Sequence, residues 1–236
     1  MELNKNNVLI SAIISGFYLG LVALGDFYLG SILKSPKIGM SLLFGLALVV
    51  ILTLKTRLYT GDTMNHTVSY LSKKDNLGNI IKNLNIVFIG NFIGVIIITL
   101  LFIYSNSATK EFNNFLFKIT NIKIHYNIQT LIIKGILCNI CVCSGILLYR
   151  KGTDNISKIF LTMSMIFLFV LMGFEHCVVN MVVFTYSIFY NPELFNLMIY
   201  NMIFVTLGNV IGGIIVGIIN YELNQKEMKQ WVNIQN

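Results

Sequence analysis

The sequence predicts an all-α membrane protein. Six transmembrane helices form two inverted three-helix repeats, and the second and fifth helices are broken. Three observations predict this. The 236 residues are 56% hydrophobic and only 11% charged, with mean hydropathy +0.75, whereas an ordinary soluble domain carries roughly a quarter charged residues. Six apolar stretches can be drawn, two of them interrupted by polar residues. A short motif, Gly90-Asn91-x-x-Gly94, recurs as Gly208-Asn209-x-x-Gly212. The chain reads as one transmembrane domain, with repeat one at about residues 8–104, repeat two at about 126–221, and a tail over 222–236. The net charge of +7 belongs to the positive-inside rule rather than to nucleic-acid binding.

The first segment runs from about Val8 to Leu33, with Asp26 near its far end. Residues Met1 to Asn7 precede it without a small-residue cleavage site, so no cleavable signal peptide is expected. Lys34-Ser35-Pro36-Lys37 closes the segment, since Pro36 removes a donor and turns Ser35 away from helix. The second segment is apolar only from Gly39 to Leu54, too short to cross about 30 Å of hydrocarbon as a straight helix. Lys55, Arg57, Tyr59-Thr60-Gly61-Asp62 and His66 follow. This predicts a half-helix, an irregular polar turn and a second half-helix. Such backbone survives at membrane depth only where protein or a wet path covers it.

Lys73-Lys74-Asp75 is a loop, and the third segment runs from about Ile80 to Tyr104. Its small-xxx-small pattern, Gly90 to Gly94, allows close helix approach. Ser105 to His125 is the longest polar stretch, with room for a short amphipathic element. The fourth segment spans about Tyr126 to Tyr149, and the fifth Ile156 to Phe189, interrupted at Glu175-His176. The sixth runs from about Phe195 to Tyr221, followed by a tail expected to form a short surface helix. Superposing the two Gly-Asn motifs sets Arg57 opposite Glu175 and Leu58 opposite His176, so the two breaks occupy matching positions. Three spans per half is odd, so the second half crosses in the opposite sense, with the substrate path between the halves. Lysine and arginine bias in the loops places both termini in the cytoplasm.

Cys138, Cys141, Cys143 and Cys177 all lie in apolar segments. One helix cannot aim three thiols at one metal, so they read as small hydrophobes, with no disulfide, metal or cofactor. Glu175-His176 stands out because ionisable groups at bilayer depth are expensive unless they face a protein interior or a wet cavity.

These residues resemble the formate/nitrite transporter family over almost the whole chain. Gly173-Phe174-Glu175-His176 with Asn180-Met181 matches one family stretch, and Gly135-Ile136-Leu137-Cys138-Asn139 with Val142-Cys143 matches a second. Asn201, Val205-Thr206, Gly208-Asn209 and Gly212-Gly213 match a third; Lys82-Asn83, Val87, Gly90-Asn91 and Gly94 match its first-half counterpart. The resemblance implies an aquaporin-like six-helix protomer in a homopentamer, with one pore per subunit for small monovalent anions such as formate, nitrite or hydrosulfide. It implies that His176 is the central pore histidine, facing Thr60, with Lys123 near a vestibule. Leu48, Leu58 and Tyr59 would line one constriction, and Val142 and Phe169 the other. Departures are Arg57 where the family has an acid, Tyr59 for Phe, Asp62 for Asn, Ser144-Gly145 and Cys141 after the second motif, and Lys134 within the fourth span.

The expected mechanism has His176 exchanging a proton with the permeating anion, since its unperturbed pKa lies closest to neutral. Glu175 is expected to support the break by bonding freed backbone amides, with Arg57 as a candidate ion-pair partner. Asn91, Asn139, Asn201 and Asn209 are expected to tie backbones together, with Asn139 and Asn209 the ones placed nearest substrate. His66 and His125 read as surface or interface residues, and Lys134 as snorkelling, interfacial or pore-facing. The alternative function is an aquaporin-like channel for small neutral solutes, but the twin Asn-Pro-Ala turns of that class are absent; the only prolines are Pro36 and Pro192. No nucleophile–base pair or phosphate loop points to an enzyme. The expected partners are a small anion, the lipid of a cell membrane and further copies of the chain, with no nucleic acid.

Overall fold

A computed structural model of the chain describes residues 5–33 and 36–234. All regular structure in it is helical. In order these are α1 (Lys5–Ile32), α2 (Pro36–Leu42), α3 (Phe44–Thr53), α4 (Tyr59–Leu71), α5 (Leu77–Tyr104) and α6 (Lys110–Ile124). Then follow α7 (Ile128–Lys151), α8 (Asn155–Leu171), α9 (Cys177–Tyr190), a 3₁₀ turn (Pro192–Leu194) and α10 (Phe195–Ile234). Among the described residues, four stretches are long and apolar enough to cross a membrane: Asn7–Ile32, Leu77–Tyr104, Ile128–Lys151 and Pro192–Asn224. Pro36 opens α2 as its first residue, while Lys34 and Ser35 of the expected turn lie outside the described residues. The expected tail helix is not separate, because α10 continues unbroken to Ile234.

Both interrupted segments stop in the same way. Leu54 ends α3, Lys55 turns left-handed at φ 55°, and the Thr56 amide reaches back to the Ile51 carbonyl. Met172 ends α8, Gly173 turns left-handed at φ 67°, and the Phe174 amide reaches back to the Phe169 carbonyl. This is the Schellman closure, which satisfies carbonyls a helix end leaves open. Glycine adopts that conformation freely, whereas lysine does so at a cost of roughly 1–2 kcal/mol. Each chain then runs extended for a few residues and starts a new helix at Tyr59 or Cys177. A further interruption, not expected from the sequence, separates α2 from α3 at Leu43, whose amide donates to Asp26 Oδ1 at 3.1 Å.

The polar stretch after α5 is an amphipathic helix, α6. Thr109 caps its start by accepting from the Phe112 amide. Phe112, Leu116, Thr120 and Ile124 recur every four residues and are buried, the spacing of one helical face. That face packs on α1 and α9 and so brings Lys123, at the last turn, over the second break.

The long helices pack in two pairs, α1 with α5 and α7 with α10. Glycines permit the approach. A Cβ built on Gly94 would lie 2.1 Å from the Ile13 carbonyl oxygen, and one on Gly208 would lie 2.4 Å from the Ile132 carbonyl oxygen. Both obstacles are backbone, so the helices themselves would have to part. Gly94→Ala is therefore expected to destabilise the protein by about 1–3 kcal/mol through overpacking. Gly25→Ala, where the added carbon meets nothing within 4 Å, should cause no loss. Thermal unfolding of the two variants in detergent, followed by size-exclusion chromatography, checks the contrast.

Candidate functional site: two facing helix starts at His176

The starts of α4 and α9 meet inside the protein. An extended N-cap residue precedes each, Leu58 and His176. A helix start presents unpaired amides and the positive end of its dipole, so this meeting concentrates partial positive charge. Thr60 and His176 join the two helices, with Thr60 Oγ1 3.2 Å from His176 Nε2. Both are buried.

His176 Nδ1 accepts from the Val178 and Val179 amides at 3.2 and 3.4 Å. The imidazole thus caps its own helix, a role usually taken by Ser, Thr, Asp or Asn. A ring nitrogen that accepts two amide protons carries none itself, so the neutral ring holds its hydrogen on Nε2 and donates it to Thr60. The ring of Phe169 stacks beside it, centroids 6.0 Å apart at 25°.

Two asparagines hold the breaks. Asn91 Oδ1 accepts the Tyr59 amide at 2.9 Å, and its Nδ2 donates to the carbonyls of Ala12 and Arg57. Asn209 Oδ1 accepts the Cys177 amide at 2.9 Å, and its Nδ2 donates to the carbonyls of Gly135 and Glu175. The two sets correspond group for group. Asn139 donates through Nδ2 to the Thr60 carbonyl, Thr63 Oγ1 and the Asn209 carbonyl. Asn139 and Asn209 were the asparagines expected nearest substrate; here their amides are occupied by protein backbone and Thr63, behind the cavity walls.

Glu175 differs from the sequence reading. Its carboxylate takes no freed amide. Lys123 Nζ donates to both carboxylate oxygens at 2.8 Å and to Asn180 Oδ1 at 2.9 Å. Asn180 Nδ2 donates to Glu175 Oε2 and to Asn201 Oδ1, and Asn201 Nδ2 closes the circuit on the Lys123 carbonyl. Lys123 is thus neutralised by Glu175 rather than presenting free charge to a vestibule. The Glu175 amide bonds the Lys134 carbonyl instead of the carboxylate. Lys134 Nζ donates to the Gly173 carbonyl and to Tyr126 Oη, so it pins the second break from α7.

Arg57 does not meet Glu175. Its Nε donates to Asp62 Oδ2 at 2.7 Å, and its Nη2 lies 3.4 Å from His66 Nε2. The two residues line separate cavities, Arg57 one beside Asp62 and His66, and Glu175 one beside Lys123 and His176. Asp62 sits in the first turn of α4, where the helix dipole favours an acid. His66, expected at the surface or an interface, is buried beside this pair, while His125 is exposed.

Three cavities follow one another through this region. The first, about 190 Å³, is walled by residues including Asp26, Lys37, Phe44, Lys123, Phe169 and His176. The second is a chamber of only about 10 Å³ among Leu19, Phe44, Leu48, Leu58, Val142 and Phe169, with His176 in its wall. The third, about 570 Å³, is lined by Ile51, Lys55, Arg57, Asp62, His66 and Arg150, among others. Phe44, Phe169 and His176 belong to the first two cavities, and Ile51 to the last two. Leu48, Leu58, Val142 and Phe169 therefore converge on one chamber rather than dividing between two constrictions. Tyr59 turns away and packs edge-on against Phe88, centroids 5.0 Å apart. Phe44, Ile166 and Asn180 were not singled out as site residues. Phe44 and Ile166 are apolar residues in apolar runs, which no local signal distinguishes, whereas the Asn180-Met181 motif pointed at Asn180 without giving it a role.

The sequence model of one family, described as formate/nitrite transporter, matches residues 1–222. The chain is 30% identical to the formate channel FocA of Haemophilus influenzae over 202 residues, 76% of this chain and 71% of that one. It is 28% identical to the nitrite transporter NirC of Salmonella typhimurium over 223 residues, 91% of this chain and 82% of that one. Among solved structures, an FNT family ion channel superposes with TM-score 0.87 at 26% identity, covering 94% of this chain and 91% of the other. A pentameric formate channel with formate bound shares the fold with TM-score 0.79 at 21% identity, covering 94% and 98%.

The Lys123–Glu175 pair is nearly sequestered, with side chains 12% and 4% exposed. Breaking one side of a buried ion pair leaves a charge uncompensated and typically costs about 3–5 kcal/mol. Lys123→Met should therefore be strongly destabilising, and Lys123→Met with Glu175→Gln should recover most of the loss. Denaturant or thermal unfolding of the purified single and double variants measures this.

Proposed function

The chain belongs to the formate/nitrite transporter family, a multi-pass membrane transport protein rather than an enzyme, and we propose that it conducts small monovalent anions such as formate, nitrite or hydrosulfide past His176. The observation that carries this reading is the series of three cavities, wide, narrow and wide, that meets the buried imidazole where two helix starts face each other. The matching Asn91 and Asn209 arrangements support six spans in two inverted repeats with an aquaporin-like path between them. On the loop charges, both termini are cytoplasmic, the Arg57 cavity faces inward and the Lys123 cavity faces outward. The pentameric formate channel of like fold supports a homopentamer with one path per subunit.

In this reading the narrow chamber sets the problem. Its walls are aliphatic and aromatic, so a bare anion within it loses hydration and gains little. A neutral weak acid crosses such a chamber far more easily. Among the described residues lining the chamber, His176 is the one with a side-chain donor, its Nε2–H, which a permeant can take once it is released from Thr60. Proton exchange follows through the ring: a proton arriving on Nδ1 must displace the two α9 amides, and Nε2 then passes its proton to the permeant. The ring left behind carries its proton on Nδ1, so the cap re-forms only after Nδ1 releases that proton and Nε2 takes one up. Glu175, held by Lys123, keeps the second break in place, while Thr60 returns the ring to its resting position.

The test is flux. Purified protein in liposomes should carry formate, nitrite or hydrosulfide well above empty vesicles and glycerol poorly; the reverse order would favour the neutral-solute alternative. His176→Asn retains a side chain able to cap α9 but holds no exchangeable proton. It should fold and assemble normally, yet lose the pH dependence of uptake. Its rate should drop by roughly tenfold or more, the scale of one hydrogen bond to a charged partner. Unchanged pH-dependent uptake in that variant would refute the histidine's role.

A further inference from the structure

Asp26 walls the first cavity, yet neither the His176 cap nor the Lys123–Glu175 circuit uses it. It lies near the outer end of α1, is 2% exposed, and lines the same cavity as Lys37, Lys123, Tyr126, Glu175 and His176. One carboxyl oxygen accepts the Leu43 amide at the α2–α3 interruption. The other, Oδ2, has no hydrogen-bond partner among the described residues. Capping Leu43 needs one oxygen and would be served equally by asparagine. The second oxygen is what distinguishes a carboxyl here.

The charges around the cavity give that oxygen a consequence. Lys123 and Glu175 cancel each other at 2.8 Å. The Tyr126 hydroxyl is already engaged by Lys134, and His176 Nδ1 is committed to backbone amides. Of the elements packed on α1, α2 brings Lys37, α3 has no titratable residue, α6 brings Lys123, and α9 begins at the His176 cap. On α5, Tyr104 is 71% exposed and stacks on Phe189. What remains facing the cavity is Asp26 against Lys37, which is exposed and screened by water. An unpaired carboxylate oxygen out of water is costly, and a proton on it removes that cost. With Asp26 ionised the cavity walls sum to about neutral; with Asp26 protonated they carry one net positive charge.

We propose that Asp26 is a proton-operated charge selector in the outer vestibule, admitting anions when its carboxyl is protonated and repelling them when it is ionised. The proposal rests on the anion-channel reading and deepens it: a second protonatable group, separate from His176, makes anion uptake depend on the pH of the vestibule's own side.

Formate uptake into proteoliposomes, measured for wild type and Asp26→Asn across external pH, tests it. The fraction of formate present as neutral acid is the same for both proteins, so it cancels from their ratio. The ratio of variant to wild type should be near one in acid and rise to about three- to tenfold in alkali, the range one unit charge exerts at vestibule distances in a partly screened medium. Asp26→Glu should keep a pH-dependent ratio to Asp26→Asn. A protonated-carboxyl infrared band that titrates in the wild type and is missing from Asp26→Asn is the flux-independent readout. If wild-type vesicles carry none of the anions, both readings fall. If they carry anions but the ratio stays flat with pH, or no such band titrates, the anion channel stands and the selector is overturned.

Discussion

Backbone polar groups in the centre of the molecule must be satisfied without water, and the rest of the structure depends on how this is done. Two helices stop and two start there. Each start exposes amides, and each extended linker exposes carbonyls. Asn91 and Asn209 each supply one acceptor and two donors at the needed spots. No apolar residue could do so, and a charged residue would bring a desolvation cost of its own. The long helices α5 and α10 must therefore hold these two side chains in register with the breaks. That register requires α1–α5 and α7–α10 to approach closely, which is why Gly94 and Gly208 face backbone.

The ionic groups follow the same logic on a larger energy scale. Lys123 and Glu175 are buried together, and Asn180 and Asn201 complete their hydrogen bonding into a closed circuit. Such a circuit adds little net stability over an apolar equivalent but strongly penalises partial assembly. It also couples the amphipathic α6 to the break before α9, so the element that lies along the polar stretch is tied to the site. At the other break Arg57, in the linker, pairs with Asp62 in the first turn of α4, and Lys55 and Arg150 line the wider cavity beside them. The two ends of the path are thus alike in backbone and different in charge.

Much of this could be read from residues. Gly90-Asn91-x-x-Gly94 and its copy at Gly208 disclosed both close approach and a shared polar duty, because glycines on one face let helices meet and a buried asparagine must find hydrogen-bond partners. Polar residues after Leu54 and at Glu175 located the breaks to within a few residues. Partnerships were not legible. Glu175 was read as an amide acceptor because the break beside it has amides to spare, yet Lys123, remote in sequence, reaches it first. Arg57 was paired with Glu175 by symmetry, but symmetry relates their backbones and sends their side chains apart. His66, read as a surface or interface residue, is buried beside the Arg57–Asp62 pair.

What the sequence determined by itself was the class of the protein: membrane-embedded helices, two interruptions, a buried histidine at one of them, and a family resemblance carried by motifs along the whole chain. Those properties depend on composition and local spacing, which the chain carries in one dimension. What only the tertiary structure decided was the environment of each functional group. The His176 ring faces Thr60 with Nε2 because Nδ1 caps α9, the narrow chamber gathers Leu48, Leu58, Val142 and Phe169 from separate parts of the chain, and Asp26, with one unpartnered oxygen, lines the same cavity as His176. These arrangements arise from contacts between residues distant in the chain, where packing and the need to pair buried polar groups choose among many partners that local sequence leaves equal.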